Sequence, residues 1–119
     1  MSRPHLCSVI SVLALAAGCG GIPKPEARIS SSQGAIRGAE EAGAERIPRA
    51  SLHLKLAQEQ RAQALELINR GDNHGADLLL ARAEADAELA LALAREASAA
   101  ADTEKTNEEL DALSKQAEE

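Results

Sequence analysis

The sequence predicts an all-α protein: an Ala/Leu-rich antiparallel helical hairpin or three-helix arrangement that follows a cleaved signal peptide. Three observations carry this expectation. Of 119 residues, 26 are Ala and 16 are Leu, both strong helix formers. Phe, Tyr and Trp are absent, the two Val stand at positions 9 and 12, and only five Ile and two Thr follow residue 19, so a sheet lacks its material. Apolar residues also recur at alternating spacings of four and three, the period of a helix face. The length allows one small domain. Without aromatic rings there is no stacking platform for single-stranded nucleic acid, and a formal charge of −6 opposes phosphate-rich partners, so nucleic acid is not an expected partner.

Residues 1–18 read as a targeting segment. A cation at Arg3 precedes a twelve-residue apolar run, Leu6–Ala17, and small residues then lead into Gly18-Cys19. The run is too short for a membrane span, which needs about 20 residues. Ala16-Ala17-Gly18-Cys19 resembles the lipobox of bacterial lipoproteins, with Ala16 where Leu is commonest. The resemblance implies cleavage between Gly18 and Cys19, lipidation of Cys19 and a membrane anchor carrying several acyl chains such as palmitate. The alternative is an ordinary signal peptide cut after Ala17 or Gly18, which leaves Cys19 as a free thiol. Gly20, rather than Asp, after the cysteine resembles the outer-membrane sorting default of enterobacterial lipoproteins. The expected location is therefore the cell envelope, at the periplasmic face of the outer membrane.

Residues 19–25 form the lipidated cysteine and a tether, since Gly20-Gly21 and the prolines at 23 and 25 resist helix. A helical domain is expected over 26–101. Its first helix starts between Pro25 and Ser32, at a first-turn Pro or a Ser30–Ser32 N-cap, and stops at Gly43, with Ile29, Ile36, Ala39 and Ala42 as a narrow apolar edge. Pro48 opens a second helix that runs to Arg70 and ends at Gly71, and Asp72 caps a third. The connection, Gly71-Asp72 or an extension of it through Gly75, is short enough to make neighbours antiparallel. Residues 102–119 read as an acidic helical or disordered tail, because Leu110, Leu113 and Ala117 leave the earlier register and Thr106-x-x-Glu109 has the form of a capping box.

The third helix holds the clearest pattern. Ala76, Leu80, Ala83, Ala87, Ala90 and Ala94, continued by Ala97 and Ala101, form a heptad-like seam of small residues, as in a coiled coil. Ala50, Leu54, Ala57, Ala64 and Ile68 form a facing row on the second helix, interrupted by Arg61. Leu79, Leu89, Leu91 and Leu93 broaden the third helix's apolar face, which predicts more than one neighbour. The seam is either intramolecular core or the candidate interaction face. Residues 48–71 carry four cations and two anions, while 102–119 carry two cations and seven anions. A core of Ala and a few Leu buries little area, so self-association or docking on another envelope protein is expected.

Cys19, the proline tether, Ala39-x-x-Ala42-Gly43-Ala44, Ile47-Pro48, Gly71-Asp72 and Ala83-x-x-Asp86-Ala87-x-x-Ala90 together resemble the bacterial lipoproteins with domain of unknown function 4398. The similarity covers about residues 35–101. It implies a helical domain without catalytic residues. In that family an OmpA-like peptidoglycan-binding domain often follows; this chain runs to Glu119, so peptidoglycan binding is not carried over. Members often place an aromatic after the Gly-Asp turn, where this chain has Asn73-His74-Gly75.

Few residues suggest chemistry. Asp72, Asn73, His74 and Asp77 could supply metal ligands within one turn, but a helix cap and first-turn anions account for them, so neither metal nor cofactor is expected. His53 would need a partner to orient it as a base, and the neighbouring Lys55 and Glu59 read as solvated surface. Ser51 and Ser98 have no recognisable nucleophile context. No enzyme and no small-molecule substrate are expected. The functional expectation is a lipid-anchored envelope protein with a structural or protein-interaction role. The alternative is a tetratricopeptide-like helical adaptor, secreted or anchored in the periplasm.

Overall fold

A computed structural model describes residues 21–118. The expected signal peptide, its cleavage site and Cys19 lie outside these residues. The described chain folds as helix α1 (Glu26–Glu41), a 3₁₀ turn (Ala44–Arg46), helix α2 (Pro48–Asn69) and helix α3 (Asn73–Glu118), and no strand occurs among the described residues. Of the two all-α arrangements the sequence allows, the protein adopts the three-helix one.

Backbone chemistry sets each boundary. Pro25, not a serine, precedes α1, and its carbonyl accepts from the Ile29 N–H at 3.0 Å. The serines fall inside the helix, where Ser32 is fully buried and its hydroxyl donates to the Ile29 carbonyl at 3.2 Å. Gly43 ends α1 in the left-handed region at φ 78°. Ile47 is extended, as a residue before proline must be, and Pro48 occupies the first turn of α2. At the other end Gly71 has φ 84°, its N–H donates to Ile68 O, and the Asp72 N–H donates to Leu67 O, both at 2.9 Å. These two bonds make a Schellman motif, which satisfies carbonyls that the helix leaves open. Asp72 then caps α3: its Oδ1 accepts from the Gly75 N–H at 2.8 Å. Gly75 leaves the room this needs, because a Cβ there would overlap the Asp72 carboxylate.

The helices run up, down and up. A lower apolar cluster joins Ile29 of α1 to Ala64, Leu67 and Ile68 of α2 and to Ala76, Leu79 and Leu80 of α3. An upper one joins Ile36 and Ala39 to Ala50, Leu54 and Ala57 and to Ala87, Ala90, Leu93 and Ala94. Thus α1 and α3 rise together and α2 descends between these levels. Ten of the fourteen buried apolar residues are Ala. With side chains this short at the contact, the helix axes approach closely.

Arg61 stands between Ala57 and Ala64, where the two clusters part. Its Nε is buried and has no hydrogen-bond partner. An unsatisfied buried donor costs about 1–3 kcal/mol, while the aliphatic stem packs usefully. Arg61→Met keeps the stem and removes the donor, so it is expected to raise stability by about 1 kcal/mol. Urea denaturation measures this, and a lowered midpoint would show instead that the guanidinium holds the two halves together.

The acidic tail, read from sequence as helical or disordered, is helical and belongs to the third helix. Helix α3 continues unbroken to Glu118. Thr106 does not cap a new helix; its hydroxyl bonds back to the Asp102 carbonyl at 2.8 Å, as Thr103 bonds to that of Ala99 at 2.8 Å. Lys105 and Glu109 pair across one turn at 3.8 Å. Packing ends at half-buried Ala97 and residues 98–118 are all exposed, so the bundle carries a projecting helical arm.

Candidate interaction surface

All six residues of the candidate interaction face are buried. Ala76, Leu80, Ala83, Ala87 and Ala90 are fully buried and Ala94 nearly so, closed against α1 and α2 of the same chain. That seam is core, because α1 and α2 already fill both of its sides, and any surface for a partner lies elsewhere on the bundle.

Helix α1 covers one side of the α2–α3 hairpin. There Arg28 Nη1 donates to Glu84 Oε2 at 3.2 Å, Ser31 Oγ donates to the same oxygen at 2.9 Å, and Gln58 Nε2 donates to Glu40 Oε1 at 2.8 Å. Two residues along a helix turn about 200°, so Gln60 and Asp86 face the opposite side of the hairpin. On that side Gln60 Nε2 donates to Asp86 Oδ2 at 2.8 Å, and His53 Nδ1 lies 2.9 Å from Asp86 Oδ1. His53, for which the sequence offers no orienting partner, is half-buried and has an orienting carboxylate. It is bonded to Asp86 and not to Ser51 or Ser98. The seven-residue spacing of His53 and Gln60 marks them as one stripe, but Asp86 as their shared partner depends on how α2 and α3 align.

Two hollows flank this polar group. The lower, of about 500 Å³, is lined by Leu67, Gly75, Leu78, Leu79 and Arg82. The upper, of about 220 Å³, is lined by Ile47, Arg49, Leu93, Glu96, Ala97 and Ala100. Exposed Leu56 and Leu89 lie along the same side. The hairpin thus presents an open groove with mostly apolar ends and a polar middle, with Arg82 at its lower end and Arg49 and Glu96 at its upper end. Such a groove fits the apolar stripe of a helix.

The polar residues near the turn are engaged by the fold. Asn73 Nδ2 donates to the Ile22 carbonyl at 2.7 Å, Asp77 lies 3.6 Å from Arg28, Asp72 caps α3, and His74 is exposed. Among the described residues no three metal-ligating side chains converge, and no helix is long and apolar enough to cross a membrane.

A family model described as Domain of unknown function (DUF4398) matches residues 27–106. The chain belongs to the DUF4398 family. No curated protein and no solved structure matches it. The DUF4398 segment begins one residue inside α1 and takes in the whole bundle together with residues 98–106 of the arm. The base of the arm is therefore part of the family's domain.

Proposed function

We propose that this DUF4398 protein is a lipid-anchored scaffold of the bacterial envelope, held at the outer membrane through Cys19 and binding protein partners by its helical faces. The observation that carries the reading is the tetrad Ala16-Ala17-Gly18-Cys19 directly after a twelve-residue apolar run. Gly20 supports the outer membrane as its destination. Several acyl chains give stable anchoring where a single chain gives only reversible binding. The groove between α2 and α3, mostly apolar at both ends, supports a binding role rather than a reaction. A tetratricopeptide-like array is the weaker reading, since α3 alone, at 46 residues, exceeds a whole repeat of roughly 34.

Palmitate labelling and membrane fractionation test the anchor. The wild-type chain is expected to take up label and sediment with membranes, and Cys19→Ala to lose both properties. An unlabelled wild type in the soluble fraction would overturn the reading.

A further inference from the structure

The base of the bundle lies beside the point where the chain enters it. Asn73 Nδ2 holds the Ile22 carbonyl at 2.7 Å, which ties the tether to the first turn of α3. Ile22 stands three residues after Cys19, a stretch that spans at most about 10 Å even when fully extended. A lipid on Cys19 therefore keeps this end of the molecule near the headgroups, a layer about 5–7 Å deep on each side of a bilayer.

The side chains at this end suit such a layer. Ile22 and Leu78 are 56% and 57% exposed, the first in the tether and the second in the second turn of α3, about 7 Å above Asn73. Beside Leu78 opens the lower hollow, walled by half-buried Leu67 and Leu79 and edged by Arg82. Helical side chains lean toward the helix N-terminus, so Leu78 and Arg82 both tilt toward the base. The acids nearest the tether are already engaged: Glu26 lies 3.0 Å from Lys24, Glu66 3.5 Å from Arg70 and Asp77 3.6 Å from Arg28, while Asp72 caps α3. Arg82 pairs with no acid among the described residues.

We propose that the base, through Ile22, Leu78 and the lower hollow, docks on the phospholipid surface itself, with the arm directed away from it. The inference rests on the anchor at Cys19 proposed above, and that anchor selects the occupant, because a surface so close to it meets the bilayer first. Chemistry agrees with position. Aliphatic side chains reach the acyl boundary, and Arg82 beside them keeps its guanidinium among the phosphates. Interfacial segments bury their apolar faces about 5–10 Å deep, which takes in Leu78 but not Leu89, about 24 Å above Asn73. Charge sets the direction: residues 102–119 carry seven acids and two cations, which anionic headgroups repel.

The test uses the full lipidated chain in vesicles of phosphatidylethanolamine and phosphatidylglycerol, part of it brominated on the acyl chains near the headgroup. Leu78→Cys, Leu89→Cys and Leu110→Cys are made separately and labelled with bimane, with the unsubstituted chain as background. Bimane on Leu78→Cys is expected to be quenched about twofold or more by brominated lipid, and on Leu89→Cys and Leu110→Cys to fluoresce as in water. Asn73→Ala added to Leu78→Cys is expected to remove most of that quenching while the protein still floats with the vesicles, since the anchor stays and the tether is loosened. Unquenched Leu78→Cys on a chain that floats would overturn the docked base and leave the anchor standing, whereas a chain that does not float would overturn both. Equal quenching at Leu78→Cys and Leu89→Cys would mean a bundle lying flat and would overturn the upright base. An adduct of Leu78→Cys with another protein in intact cells, without quenching in vesicles, would give this surface to a protein instead.

Discussion

Leu80→Ala is expected to destabilise the bundle by about 2–5 kcal/mol, the range for removing a buried leucine. Leu80 is fully exposed to packing and not at all to water, and its buried neighbours in the lower cluster are Ala64 and Ala76. Alanines have no methylene with which to reach into the vacated space, so the cavity persists and the cost lies above simple transfer. Ile29, Leu67, Ile68 and Leu79 border the site from half-buried positions and offer partial relaxation. Chemical denaturation followed by helicity gives the magnitude. Hydrogen exchange gives the location, with protection lost first around Asn73–Ala83 and the facing end of α2. A cost below about 1 kcal/mol would mean that the lower half can close without this side chain.

Ala87→Leu tests the same packing from the other direction. Ala87 is fully buried in the upper cluster, where α1, α2 and α3 meet through Ala39, Ala50, Ala57 and Ala90. Leucine adds three carbons where axis separation is set by a single methyl, and overpacking of this kind costs about 1–3 kcal/mol. Ala85, two residues earlier, is exposed on the opposite face of α3. Ala85→Leu is expected to stay within about 0.5 kcal/mol of wild type, as surface changes do. Thermal melts of both variants at low concentration separate the outcomes. Equal loss in the two would mean that α3 is rotated from the described packing.

What the residues declare in advance follows from whether their chemistry is local. Gly43, Pro48, Gly71 and Asp72 each satisfy a backbone requirement within a few residues, and each stands where its chemistry places it. The buried row Ala76 to Ala94 is equally legible as a row, since its spacing is a property of one helix. Whether that row meets its own chain or another is a different matter, because small residues at helical spacing suit both, and here the chain's own helices occupy it. The start of α1 shows competition between two valid signals: Ser30 to Ser32 are good caps, but Pro25 comes first and nothing after it interrupts the helix. Thr106 with Glu109 has the sequence of a cap, yet a cap forms only where the backbone breaks, and the residues around Asp102 are content in a helix. The grouping of His53, Gln60 and Asp86 was beyond reach from sequence, since it depends on the level at which two distant segments align.

The parallel course of α1 and α3 places Ile22, held by Asn73, at the base of the molecule and Glu118 at its far tip. At 1.5 Å per residue, α3 measures about 69 Å between them, more than the thickness of a bilayer. An uninterrupted helix of this kind is a ruler as much as a surface. Excising seven residues from the arm would bring the tip about 10 Å nearer while turning it only about 20°. Excising five would swing it to another side of the molecule. Reach and bearing are thus encoded together in the residue count after Ala97, and insertions or deletions there alter what the tip can touch even when every remaining side chain is unchanged.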